Sequence, residues 1–111
     1  MRKIKFIVNG QIISIDPNCN LDGLVPGTEG YLAAEFIFSN EWKELRKVVG
    51  FWSALGREYK PQVLDSRNVC IIPKEALNKR TFKVQVLGSS QDGTFGLSTN
   101  KIAVSQNGGK K

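Results

Sequence analysis

The 111-residue chain has no histidine. That removes the commonest general base and the commonest metal ligand together. Cysteine is almost as scarce: Cys19 sits in a polar Asn-Cys-Asn stretch and Cys70 in an apolar Val-Cys-Ile-Ile run. Two thiols in such unlike settings cannot build a structural zinc site, and without an export signal they are expected to be free. Cys70 reads as an inert core filler. No apolar run approaches the ~20 residues that span a bilayer. After Met1-Arg2-Lys3 the chain alternates, where a secretory signal would need an unbroken apolar stretch. Synthesis in the cytosol without membrane contact is the expectation.

Catalytic spacings are missing as well. Gly-x-Ser-x-Gly, Gly-x-x-x-x-Gly-Lys and Gly-x-Gly-x-x-Gly do not occur. Glu41 with Glu44, and Glu58 with Asp65, fall on turns beside lysines and read as ordinary surface rather than as a glycosidase pair. Asp92-Gly93 reads as a hairpin turn rather than a metal loop. A serine nucleophile would need a lysine base, and no spacing suggests one. The chain is expected to be no enzyme and to carry no cofactor.

Positive charge is plentiful, with 16 Lys and Arg against 10 Asp and Glu and a net charge of +6. It is spread out: Arg2, Lys3 and Lys5, then Lys43, Arg46 and Lys47, then Lys79, Arg80 and Lys83, with Glu41, Glu44 and Glu75 between. Solvated surface is the plain reading, and contact with nucleic acid or an acidic protein the sharper one. Lys110 and Lys111 follow Asn107-Gly108-Gly109, so 107–111 is expected to be a flexible basic tail on a single domain spanning 1–106.

Period-two alternation dominates that domain. Residues 3–8 and 11–15 flank Asn9-Gly10, which predicts a hairpin over 1–15 closed by a type I′ turn. In that register Val8 faces Gln11, Phe6 faces Ile13 and Ile4 faces Ile15. Residues 16–30 read as a loop. The next strand, 31–39, has Leu32, Ala34, Phe36 and Phe38 on one side and Tyr31, Ala33, Glu35 and Ile37 on the other, so cover on both faces is expected. Ser39 is expected to cap a short turn over 40–45 carrying Trp42 and Leu45.

Strands follow at 47–53, 57–64 (an edge or bulged strand, because of Pro61), 68–72, 81–89, 94–98 and 101–105. Pro73 opens a single helical turn over 74–78. Lys83 and Gln85 are expected to face solvent. Eight or nine short strands punctuated by turns describe an all-β sandwich or barrel.

The aromatic residues divide. Phe6, Phe36, Phe38, Phe51 and Phe82 fit core positions by alternation, and Trp42, ending a strand, fits a core plug. Trp52 and Tyr59, interleaved with Arg57 and Lys60, form the candidate interaction surface, since Trp and Tyr favour binding hot spots. The same four residues could stack and neutralise single-stranded nucleic acid, a generic pattern.

One ordered set of motifs runs through most of the chain: Phe36-Ile37-Phe38-Ser39 with Trp42, a strand holding Phe51, Cys70-Ile71-Ile72-Pro73 before a helical turn, Phe82 to Gly88, and Thr99-Asn100 before the closing strand. The set resembles the immunoglobulin-like N-terminal modules of baseplate upper and tail-fibre proteins from phages of Gram-positive bacteria. The resemblance covers about residues 31–104. It implies an immunoglobulin-like antiparallel sandwich in a virion, packed as a homo-oligomer and docked on other phage virion proteins in the baseplate, tail or capsid. The alternative expectation is a small phage-encoded inhibitor of a host defence or nucleic-acid-processing protein.

Overall fold

Side chains at period two put one row in a core and the next in water. In the computed structural model, which describes residues 2–20 and 32–106, that pattern yields nine strands among the described residues. They are β1 (Arg2–Asn9), β2 (Ile12–Ile15), β3 (Leu32–Phe38), β4 (Arg46–Ser53), β5 (Gln62–Val63), β6 (Val69–Ile71), β7 (Thr81–Ser89), β8 (Gly96–Ser98) and β9 (Ile102–Ser105). A 3₁₀ turn, Asn40–Trp42, and a one-turn helix α1, Lys74–Leu77, complete the described elements. The expectations for 21–31 and for the tail 107–111 lie outside the described residues.

Sheet 1 has the order β2-β1-β3-β6. Sheet 2 has the order β5-β4-β7, with β8 and β9 pairing in succession along the far side of β7. Ile4, Phe6, Val8, Ile13 and Phe36 of sheet 1 meet Val49, Phe51, Phe82, Val84 and Val86 of sheet 2 in one buried cluster. The all-β sandwich expected from the strand spacing is the observed architecture. Pairing is antiparallel except between β1 and β3, which run parallel from Arg2 beside Leu32 to Val8 beside Phe38. A parallel pair needs a crossover rather than a tight turn, and residues 16–31 separate β2 from β3.

The hairpin differs from expectation in its turn. Phe6 pairs with Ile15, Val8 with Ile13 and Asn9 with Ile12, leaving Gly10 and Gln11 as the loop. Gly10 has φ of 60° while Asn9 and Gln11 keep negative φ. A positive φ at the first central position alone marks type II′ rather than type I′. The gain is in packing: Val8 now faces Ile13 rather than Gln11, and both are buried. The slip is two residues, so every side chain keeps its face.

Three further expectations are refined. Cover on the outer side of β3 thins along the strand, from buried Ala33 through half-buried Glu35 to Ile37, which is 54% exposed. Lys83 and Gln85 are half-buried, and Gln85 Nε2 donates to the Thr99 carbonyl at 2.7 Å. The strand anticipated over 57–64 shrinks to β5 and one bridge between Glu58 and Trp52, at the edge of sheet 2 where Pro61 does no harm.

Candidate functional site

The aromatic signature assembles at one end of the sandwich. Phe6 stacks on Phe36 with ring centroids 5.0 Å apart, Phe36 on Phe38 at 5.9 Å, and Phe38 meets Trp42 at 5.3 Å. Trp42 is fully buried, and its Nε1 donates to the Gly10 carbonyl at 2.8 Å, so the indole meets both its apolar and polar demands. Ser39 stands at the N-cap of the 3₁₀ turn but makes no side-chain cap, contrary to expectation. Its Oγ instead accepts the Gly10 N–H at 2.9 Å. The Ser39 side chain also hydrogen-bonds Glu41, holding that carboxyl below its ordinary value. The hairpin turn and the Trp corner are thereby fastened together by groups from both.

Gly88 lies against the indole: a Cβ there would stand 2.7 Å from Trp42 Cζ3. Phe51 meets Phe82 at 6.4 Å in the core of sheet 2. Cys70 is buried, and burial pushes its thiol up to about 12. Both cysteines are free. Pro73 precedes α1 as its N-cap residue, with φ of −59°. These signature positions serve packing.

Thr99 and Asn100 do something different, because they join the sheets. Buried Thr99 accepts the Val86 N–H on Oγ1 at 3.0 Å and donates to the Asn100 carbonyl at 2.7 Å. Asn100 Oδ1 accepts the Ile13 N–H at 3.0 Å, and its own N–H reaches the Gln11 carbonyl at 3.1 Å. One dipeptide thus ties β7 of sheet 2 to β2 of sheet 1.

The four residues of the candidate interaction surface separate into two places. Arg57, Tyr59 and Lys60 line a cleft of about 900 Å³ at the end of the sandwich opposite the Trp corner. Its other wall is the passage from α1 into β7, with Glu75, Asn78, Lys79, Arg80 and Thr81. Trp52 lies outside the cleft, on the outer face of sheet 2, with Lys101 Nζ 3.6 Å over its ring. The Trp52 Nε1 is buried without a hydrogen-bond partner, close above Gly50, where a Cβ would come within 3.1 Å of it.

In the sequence Lys79 and Arg80 read only as scattered charge. Gln106, unmarked there, is 1% exposed and donates through Nε2 to the carbonyls of Leu77 at 3.0 Å and Lys79 at 2.7 Å. Its backbone N–H also reaches the Arg80 carbonyl at 2.6 Å. A lone glutamine after a short strand carries no periodic signal that would have marked it.

Among the described residues, no group of three or more His, Cys, Asp or Glu side chains could hold a metal ion. No described helix is long and apolar enough to cross a membrane. Comparison with known proteins finds no matching family model, no matching curated protein and no matching solved structure.

Proposed function

We propose that this chain is a non-enzymatic phage structural module that works in virion assembly, as a baseplate, tail or capsid attachment or decoration, through protein–protein contacts. The observation that carries the binding part of this reading is an apolar row on the outer face of sheet 2. Val63, Val48 and Leu87 are direct cross-strand partners over β5, β4 and β7. Val63 is 70% exposed and Leu87 43% exposed, with half-buried Val48 between them. Side chains on the water side of a two-layer sandwich are ordinarily polar, and an aligned apolar row with a polar border has the composition of a contact surface. Arg46, Ser89 and Ser98 supply part of that border.

The virion setting comes from the motif resemblance, as does the expectation of a homo-oligomer. Light scattering on the purified protein and mass spectrometry of purified phage particles test the reading. A defined oligomer, or the protein's presence in particles beside tail or capsid proteins, supports it. A strict monomer absent from particles would end it.

A further inference from the structure

The cleft opposite the Trp corner has a charge pattern that the apolar face of sheet 2 does not explain. Arg57 and Lys60 stand on one wall, and Lys79 and Arg80 on the other. Against these four cations the lining holds two carboxylates, Glu58 and Glu75. None of the four cations is paired with a carboxylate among the described residues. The rest of the lining includes half-buried Tyr59, exposed Ala54, Leu55, 99% exposed and projecting into solvent, and the small polar side chains of Ser53, Asn78 and Thr81. Lysines and arginines also bring apolar stems to such a surface while their heads stay hydrated.

We infer that this cleft binds a short acidic peptide segment of a partner protein, in which carboxylates alternate with apolar or aromatic side chains. The choice of a peptide rests on reading the chain as a protein-binding module. The carboxylates would meet the two cationic walls, and an apolar side chain would lie on Tyr59, where Leu55 is free to close over it. A volume of about 900 Å³ accommodates a few residues.

The alternative polyanion, single-stranded nucleic acid, is less well matched. Binding of successive bases needs successive free aromatic faces. Tyr59 is the aromatic residue of the lining, while Trp52 stands outside it beneath Lys101. Glu58 and Glu75 would repel a run of phosphates but can be spaced around by a mixed peptide.

Gln106 lies behind the second wall. Its carboxamide grips the carbonyls of Leu77 and Lys79 from the buried side, and its backbone N–H holds Arg80. The wall that presents Lys79 and Arg80 is therefore fixed from beneath.

Fluorescence anisotropy tests the inference with three labelled probes. They are an eight-residue peptide alternating glutamate with leucine or phenylalanine, the same peptide with glutamine for glutamate, and an oligothymidylate of equal charge. The acidic peptide is expected to bind best and to weaken with added salt. The double variants Arg57→Glu/Lys60→Glu and Lys79→Glu/Arg80→Glu are each expected to lose about tenfold or more in affinity. Lys5→Glu/Lys43→Glu, away from the cleft, is expected to bind as the parent does.

Lys79→Gln/Arg80→Gln provides a milder pair should charge reversal disturb folding. Unchanged affinity in a folded cleft variant overturns the inference. So does an equal loss in the control pair, or tighter binding of the oligonucleotide. Because the assay involves neither particles nor self-association, its failure leaves the assembly reading standing, and absence from particles leaves the cleft result standing.

Discussion

A methyl group on residue 88 would sit 2.7 Å from Trp42 Cζ3 and 3.0 Å from Leu45 Cδ1. The indole is not free to retreat: it is pinned by its bond to Gly10 and packed against Phe38. Overpacking of this kind costs about 1–3 kcal/mol. Gly88→Ala is therefore expected to lower the urea midpoint, and to lower it by less when made in a Trp42→Leu background than in the parent chain. Cys70 gives a second expectation. Burial raises its thiol from 9.0 to about 12, so the folded state favours the neutral form. That contribution is fully present below pH 9.0 and is lost as pH rises through about 12. Alkylation followed by mass spectrometry at pH 8 should leave Cys70 unmodified until the protein unfolds. Cys70→Val should flatten the alkaline limb of the stability curve. The apolar run Val69-Cys70-Ile71-Ile72 makes Cys70 legible as core from the sequence. The role of Gly88 was less legible, since its reason is a ring more than forty residues away in sequence.

Turn chemistry separates what period two can settle from what it cannot. An even slip leaves every side chain on its face, so the buried set of the N-terminal hairpin was readable while its register was not. The observed type II′ turn makes a distinguishing claim. Asn9→Ala should be close to neutral, because Asn9 stays in β1 with ordinary backbone angles. Gly10→Ala should cost about 1 kcal/mol or more, because φ of 60° disfavours a side chain. Thermal melts of the two variants decide between the turn types, since a type I′ turn would require a cost at both. Ser39 shows the same limit. A serine before a short turn predicts a cap by local rule, but a donor from Gly10 takes its oxygen. Local propensity yields where a long-range partner offers the better bond.

For the molecule as a whole, the two ends of the sandwich have different tasks: aromatic packing closes one, and a charged cleft opens at the other. The cleft was only partly visible in the sequence. Arg57, Tyr59 and Lys60 are neighbours in sequence, but Lys79 and Arg80 join them only through the return of the chain from α1 into β7. Association through the face of sheet 2 predicts that Val63→Glu/Leu87→Glu shifts the oligomer toward monomer in light scattering. Both side chains are largely outside the core, so thermal stability should change by no more than about 0.5 kcal/mol. The Asn100 link bears on the form such an assembly can take. Free strand edges invite open-ended growth, since each added strand exposes a new one. Asn100 already occupies the Gln11 carbonyl and the Ile13 N–H along the outer side of β2. A second molecule could add a strand to sheet 1 there only by displacing both bonds, so this edge is closed to growth by a contact made within the fold itself.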